Sequence, residues 1–170
     1  GWKIFDSYDQ SIKILSFDQK NILALQKLAY LYLETEMPQK AESLYEELLE
    51  ISSKTPALFT NLGLALFQQK KYEEAILAYT KAIELDKEQG ERHSNLGKVY
   101  FVVGNLPAAE ECFLEALRRD SRNIGFLYLL ADCFLEDKKF SEAKKWYTKI
   151  LDLSPYDEAA KEEVRRLKAL

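Results

Sequence analysis

Side chains capable of catalysis are few in this chain and mostly isolated. The one histidine is His93, and a catalytic or metal-binding role would require a nucleophile, a second ligand or a shared carboxylate beside it. Glu91 and Ser94 are close in sequence, but residues one or two apart point away from each other on a helix. We therefore predict that His93 packs between helices.

The cysteines and glutamates also lack the neighbouring groups that a catalytic or metal-binding site requires. Cys112 and Cys133 each precede a phenylalanine and belong to no CxxC or Cys/His cluster, which predicts small, mostly buried thiols. Adjacent glutamates are predicted to be solvated, because an acid–base pair needs burial to shift its pKa. Nucleotide-binding, zinc-protease, calcium-loop and hydrolase motifs do not occur. The sequence therefore predicts no catalytic residue, no metal site and no cofactor.

Two asparagines, Asn61 and Asn95, offer binding chemistry and lie 34 residues apart. A side-chain amide has both a donor and an acceptor, so it can pair with an extended peptide backbone. An apolar series recurs at the same interval: Leu33, Phe67, Phe101 and Leu135. Such spacing implies a repeated structural element that positions these side chains.

The same period of 34 residues runs through most of the chain. Alanines recur at Ala41, Ala75, Ala109 and Ala143, and an aromatic residue follows each by four: Tyr45, Tyr79, Phe113 and Tyr147. Within each period, apolar residues at three- and four-residue steps predict two amphipathic helices. A short polar turn makes such helices antiparallel, and the small residues are predicted to lie where they cross. A fixed period indicates a stacked array rather than one closed core.

The repeated unit resembles the tetratricopeptide repeat. In 56–89 the resemblance is carried by Phe59, Leu62, Gly63, Leu66, Ala75, Tyr79 and Ala82. Four such repeats are predicted over 22–55, 56–89, 90–123 and 124–157. The resemblance implies an all-α fold, a right-handed α-solenoid of antiparallel helix pairs with capping helices.

The two flanks of the array are predicted to be helical. Residues 158–170 resemble a C-terminal capping helix. Residues 1–21 predict an N-terminal helix, with a spacing to the next unit that is about three residues too long for the period. This helix is either a truncated repeat that caps the array or the end of further repeats upstream. Because the chain begins at Gly1 rather than Met, we expect its natural start to lie elsewhere.

The resemblance also implies where a partner binds, because first helices line the inner, concave face of such arrays. The predicted partner-binding residues are Gln26, Lys27, Tyr30, Leu33, Asn61, Leu64, Phe67, Asn95, Lys98, Phe101, Tyr128, Asp132 and Leu135. A groove this apolar suits an amphipathic helix or a hydrophobic peptide. Alternatively, several of the apolar residues only pack against the neighbouring helix pair. Some relatives clamp the acidic C-terminus of a chaperone, but only Asn61 among the five clamp positions agrees here, so that ligand is not expected.

Charge and hydropathy exclude other partner classes. The formal net charge is −4 without a basic stripe, so a nucleic-acid partner is not predicted. No run of apolar residues is long enough to span a bilayer, so direct membrane insertion of this segment is not predicted. Free cysteines favour a reducing compartment, and a cytoplasmic location is expected.

These features predict a non-catalytic protein–protein interaction scaffold that binds a peptide or helical segment in the concave groove. Two other interpretations stay open. The chain could be a substrate-recruiting module of a larger enzyme, or an assembly factor of a membrane or envelope complex. Self-association is a further expectation, either through the apolar groove or through the N-terminal helix with Trp2, Ile4 and Phe5.

Overall fold

The computed structural model describes residues 2–169, and side chains from residue 7 onward within that range. Trp2, Ile4 and Phe5, named above for self-association, lie outside the described side chains. Ten helices and no strand occur in the described part of the chain: α1 (Trp2–Phe17), α2 (Ile22–Glu34), α3 (Pro38–Ile51), α4 (Pro56–Gln68), α5 (Tyr72–Leu85), α6 (Gly90–Val102), α7 (Leu106–Arg119), α8 (Ile124–Glu136), α9 (Phe140–Leu153) and α10 (Glu158–Arg166). The all-α class predicted above is confirmed.

The chain divides into two compact units. Unit 1 spans Gly1–Asp86 and unit 2 spans Lys87–Leu170. In unit 1, α2 packs on α3 and α4 packs on α5, while α3 joins the two pairs through α4. In unit 2, α6 packs on α7 and α8 on α9, with α7 against α8 and α10 against α9. We refer to α2, α4, α6 and α8 as first helices, and to α3, α5, α7 and α9 as second helices.

Side-chain caps set where several helices begin. The side chains of Asn21, Thr55, Asn123 and Asp157 accept a backbone N–H from the first turn of α2, α4, α8 and α10, respectively. Each such cap contributes about 1 kcal/mol to helix stability. Because these residues are separated by multiples of 34, the caps fix the start of each of these helices at the same point of the period.

The turns between first and second helices share one backbone conformation. A left-handed φ recurs at the same point of the period: 56° at Glu36, 62° at Lys70, 79° at Gly104 and 58° at Lys138. Gly104 is the one glycine among these four residues, and a glycine adopts such a φ without strain. In each turn two hydrogen bonds close the first helix, as from the Lys70 N–H to the Phe67 carbonyl at 2.9 Å and from the Lys71 N–H to the Leu66 carbonyl at 3.0 Å. This pairing holds three non-glycine residues in a conformation that disfavours a Cβ.

Small residues lie at the closest helix crossings, as the periodicity predicted. The repeated alanines and the aromatic residues that follow them are all buried. A Cβ added at Gly63 would lie 2.9 Å from the Tyr79 ring, and one at Gly97 would lie 2.6 Å from Cε1 of Phe113. In these two pairs the aromatic ring therefore packs directly on the backbone of the first helix.

Helix α1 is in register with the second helices. It ends at Phe17, and the second helices end at Ile51, Leu85, Arg119 and Leu153, so the step of 34 is unbroken. The expected surplus of about three residues is wrong. Ser7 stands at the position of the repeated alanine, and Ser11 stands at the position of the aromatic residue. Ser11 is buried, and its Oγ donates to the Ser7 carbonyl at 2.9 Å. Because Ser11 stands where the other repeats have Tyr or Phe, the sequence pattern did not reveal that α1 follows the same period.

Candidate functional site

All predicted partner-binding residues lie on the first helices α2, α4, α6 and α8. We call the side of these helices that bears the polar members of the set, together with Tyr30, Leu64 and Tyr128, the first-helix face. In unit 1 it is defined by Gln26, Lys27, Tyr30, Asn61 and Leu64; in unit 2 it is defined by Asn95, Lys98, Tyr128 and Asp132.

The first-helix face of unit 1 mixes polar and apolar groups. Tyr30 is 52% exposed and Leu64 is 37% exposed, while Asn61 is half-buried and Lys27 is exposed. Glu34 lies one turn beyond Tyr30, and its carboxylate raises the pKa of the Tyr30 hydroxyl through hydrogen bonding and charge. Together with Glu34, this face therefore carries one cation, one anion and two amides near an accessible aromatic ring.

Leu33 does not contribute to this face. It is 5% exposed, so the expectation that it is accessible there is wrong. The reason is helical geometry, because Leu33 lies one turn after Ala29, which is fully buried where α2 packs on α3.

The other members of the apolar series share that position, one turn after the small residue of their helix. Phe67 is half-buried, with its ring centroid 5.9 Å from that of Tyr72. Phe101, Tyr128 and Leu135 are half-buried and pack against the hydrophobic core of unit 2. Much of the apolar surface predicted for a partner is thus used inside the fold.

An open cleft lies between α6 and α8 in unit 2. Its volume is about 440 Å³, and its lining includes Asn95 and Lys98 from α6 with Asn123, Phe126 and Leu129 from α8 or its cap. The Lys98 ammonium donates to Oδ1 of Asn95 at 3.4 Å. Polar groups therefore line a cleft that also presents apolar surface from Phe126 and Leu129, an arrangement suited to a peptide with both kinds of group.

Two predicted residues of α8 are engaged within the chain. The hydroxyl of Tyr147, which is 1% exposed, donates to Oδ1 of Asp132. The Tyr128 hydroxyl donates to Oδ1 of Asp157 at 2.5 Å, and the same oxygen accepts the Ala160 N–H at 3.0 Å. Burial raises the pKa of Asp132, although the hydrogen bond from Tyr147 opposes that rise. These hydrogen bonds join α8 to α9 and to the cap of α10. The polar groups of Tyr128 and Asp132 on the first-helix face of unit 2 are therefore already engaged within the chain.

The equivalent tyrosine of unit 1 lacks such an acceptor. Tyr45 lies three periods before Tyr147 and is also 1% exposed. Its hydroxyl makes no hydrogen bond of standard geometry among the described residues, although the Asn61 amide is near enough to act on its pKa as a hydrogen-bonding group. Burial raises the pKa of this hydroxyl, the nearby Asn61 amide opposes the rise, and Tyr30 adds to it. Sequence reasoning identified Tyr45 as one of the repeated aromatic residues, but it did not recognise that the Tyr45 hydroxyl lacks the carboxylate acceptor of Tyr147. The available signal was that Tyr30 stands where the fourth repeat has Asp132.

The histidine and the two cysteines that the sequence analysis considered for catalysis are held in packing and hydrogen-bonding contacts. His93 is buried, and its Nε2 lies 3.0 Å from the Lys87 carbonyl, which also accepts from Nε of Arg119 at 3.1 Å. Both cysteines are free. Burial raises the pKa of Cys112 to about 12 and that of Cys133 to about 11. Both thiols are therefore protonated at neutral pH and poorly nucleophilic.

The described part of the chain offers neither a metal site nor a membrane-spanning helix. No group of three or more His, Cys, Asp and Glu side chains in that part of the chain is placed to hold a metal ion. None of the described helices combines the length and the apolar character needed to cross a membrane.

Comparisons with known proteins agree on one family. Models described as tetratricopeptide repeats match residues 24–56, 63–104 and 94–158. The chain is 26% identical to tetratricopeptide repeat protein 8 of Caenorhabditis elegans, over 83% of this chain and 29% of that protein. It is 28% identical to the type IV pilus assembly protein PilF of Pseudomonas aeruginosa, over 79% of this chain and 54% of that protein. The chain thus spans 29% and 54% of the lengths of these two relatives.

Solved structures share the fold. YrrB, described as a tetratricopeptide repeat protein with an unusual peptide-binding site, superposes with a TM-score of 0.78 at 20% identity, over 99% of this chain and 84% of that chain. The first repeat domain of Spaghetti (RPAP3), bound to the HSP90 peptide SRMEEVD, superposes with a TM-score of 0.63 at 26% identity, over 69% of this chain and 94% of that chain. The predicted α-solenoid of helix pairs is confirmed as the fold, and the likenesses support a protein-interaction scaffold as the general role.

Proposed function

Because the chain belongs to the tetratricopeptide repeat family, we propose that it is a non-catalytic scaffold that holds a peptide or helical segment of another protein on its first-helix faces. The observation that carries the proposal is the placement of Asn61 and Asn95. They occupy the same position in successive repeats, and each is half-buried on a first helix. An amide that packing already restrains loses little freedom on binding, and it offers a donor and an acceptor to a peptide backbone.

The surroundings of the two amides support a peptide ligand. Asn95 lines the cleft of unit 2 together with Lys98 and Leu129. Asn61 lies one helical turn before the exposed side chain of Leu64 on α4. Each amide thus has apolar surface within reach, so that a bound segment can bury side chains while its backbone is hydrogen-bonded.

The experiment uses a peptide selected on this chain from a random phage-display library. In the double variant Asn61→Ala/Asn95→Ala, we expect affinity for that peptide to fall at least about tenfold, since two hydrogen bonds are lost. The thermal midpoint should stay nearly unchanged, because neither residue is fully buried. The matched control is Gln39→Ala/Lys145→Ala, two exposed positions on second helices. Equal affinity in the Asn double variant would refute the assigned role of the two amides.

A second candidate is assembly of an envelope complex, which the likeness to a type IV pilus assembly protein favours. A segment upstream of Gly1 that anchors the protein in a membrane or exports it would support that role. The complete gene sequence would therefore discriminate between it and a cytoplasmic scaffold. We propose a cytoplasmic location for the scaffold, which the two free cysteines support.

Net charge and exposed surface bear on two other partners, nucleic acid and a second copy of this chain. We infer that nucleic acid is not the ligand, because the chain carries a net charge of −4. Self-association remains a proposal for the first-helix faces. Light scattering over a range of protein concentrations would detect it.

A further inference from the structure

We propose that a groove between the second helices α3 and α5 of unit 1 is a separate docking site, and that it binds a positively charged amphipathic segment of another protein. We call it the α3/α5 groove. It shares no residue with the first-helix face of unit 1. The inference therefore goes beyond the proposed function, because it assigns a different class of ligand to a different surface of the same unit.

The α3/α5 groove lies between two helices that both pack on α4. In the described part of the chain, α3 and α5 do not pack on each other. The volume of the groove is about 580 Å³, which is within the range of roughly 300–1,000 Å³ found for ligand sites. Its apolar lining comes from Phe59, Leu62 and Leu66 of α4 and from Leu77 and Ala78 of α5. The groove thus offers an apolar surface to the side chains of a partner.

Leu77 is the residue that distinguishes this groove from an ordinary solvent-facing surface. It is 71% exposed, although it lines an apolar groove. Every other second helix, and α1 in the same register, carries an exposed polar residue at this position of the period: Asp9, Ser43, Glu111 and Lys145. A leucine at this position buries little surface inside the fold, whereas its burial against a partner would contribute to binding.

Ala78 provides the space beside Leu77. The same position of the period is occupied by Leu44 in α3, Cys112 in α7 and Trp146 in α9, and each of these larger side chains is half-buried. The methyl group of Ala78 leaves unfilled the volume that those side chains take in their own helices. An apolar side chain of a partner can therefore enter the groove next to Leu77.

The charge of the two helices indicates which partner fits. Helix α3 carries four glutamates and one lysine, and α5 carries three glutamates and one lysine. Within the lining of the groove, the Lys81 ammonium is paired with Glu84 at 2.8 Å. Glu46 of α3 and Glu74 of α5 are exposed at the same groove.

These two carboxylates lie near one cation, which is already paired elsewhere. Both Glu46 and Glu74 act on Lys71 to raise its pKa, but the Lys71 ammonium is bonded to Glu42 at 2.7 Å. One carboxylate from each helix thus borders the apolar lining. A segment that presents Lys or Arg beside large apolar side chains complements both the charge and the surface of the groove.

The test is a selection of helix-forming peptides from a phage-displayed library. The selection uses Asn61→Ala/Asn95→Ala, which lacks the two amides of the first-helix faces. Peptides that also bind Ala78→Trp are discarded, because a tryptophan, the residue of α9 at this position, should fill the groove. We expect the enriched peptides to carry large apolar residues at helical spacing together with Lys or Arg.

Two measurements on a synthetic copy of an enriched peptide make the result specific. Leu77→Ser, which introduces the residue type of Ser43, should weaken binding at least about tenfold. Its thermal midpoint should stay nearly unchanged, because the side chain is largely exposed. The matched control is Leu64→Ser on the first-helix face, which should leave the affinity unchanged.

The second measurement tests charge. Changing the basic residues of the peptide to Gln should weaken its binding to the natural chain about threefold or more at low salt. The same peptide change should have a smaller effect on binding to Glu46→Gln/Glu74→Gln.

The outcomes separate this site from the proposed function. If no peptide is enriched, or if the enriched peptides bind Leu77→Ser as well as the natural chain, the groove is not a docking site, and the role of the first-helix faces is unaffected. Enrichment of acidic or uncharged peptides would overturn the assigned ligand class. Concentration-dependent association of the chain that Leu77→Ser abolishes would show that a second copy occupies the groove, and would overturn the choice of another protein.

Discussion

Replacing two equivalent tyrosines by phenylalanine should lower stability at one position and not at the other. Tyr147 donates to the Asp132 carboxylate, and a hydrogen bond to a charged group contributes about 1.5–3 kcal/mol. Tyr147→Phe should therefore lower the free energy of unfolding by about 2 kcal/mol. The Tyr45 hydroxyl makes no hydrogen bond of standard geometry among the described residues. Tyr45→Phe keeps the buried ring and removes only a hydroxyl without such a bond, so stability should stay the same or rise by up to about 1 kcal/mol.

The assay is urea unfolding of the two variants and the natural chain, followed by circular dichroism. An unchanged m-value would attribute the shift in midpoint to stability alone. In a thermal melt, a loss of about 2 kcal/mol corresponds to a decrease of about 4–8 °C for a chain of this size. The comparison is internally controlled, because both substitutions remove one oxygen from a fully buried tyrosine at the same point of the repeat. A loss for Tyr45→Phe as large as that for Tyr147→Phe would refute the assignment of Tyr45 as lacking a strong hydrogen bond.

Three further predictions concern packing, turn conformation and pH. Gly97→Ala should destabilise the chain by about 1–2 kcal/mol in urea unfolding, since its Cβ would overlap Phe113 and the gain in helix propensity offsets only part of that strain; an unchanged midpoint would contradict the packing. Lys138→Gly should raise stability by about 0.5–1 kcal/mol, because it relieves a left-handed φ of 58°; a lower thermal midpoint would argue against strain there. Burial alone would raise the pKa of Glu42, but its hydrogen bonds, of which that from Lys71 is the strongest, hold the pKa below the ordinary 4.5. The Glu42–Lys71 pair should therefore stabilise the fold above pH 4.5, and this stabilisation should be lost as the pH falls through the lowered pKa of Glu42. Acid titration of the thermal midpoint should show a smaller dependence in Glu42→Gln; an identical pH profile would exclude the contribution.

The period of 34 residues was sufficient to predict much of the fold. Helix pairs, buried alanines and the left-handed turn at Gly104 depend on residues that are neighbours in sequence or lie one helical turn apart. The exposed positions of Tyr30 and Lys98 follow from the same helical spacing. These features were predictable because each is a property of one helix or of the turn that follows it.

The state of individual groups within the candidate site depended on tertiary contacts. Helical spacing counted Leu33 as accessible surface, yet it is buried. Asp132 is exposed as expected, but its carboxylate is bonded to Tyr147 on another helix. The register of α1 is likewise visible only in the helix ends and in the burial of Ser11, which its residue type does not reveal. Whether a side chain is free, bonded or unpaired depends on what a different helix brings to it. The repeat pattern alone could therefore locate Tyr45, whereas only the packed structure shows that its hydroxyl lacks a hydrogen bond of standard geometry.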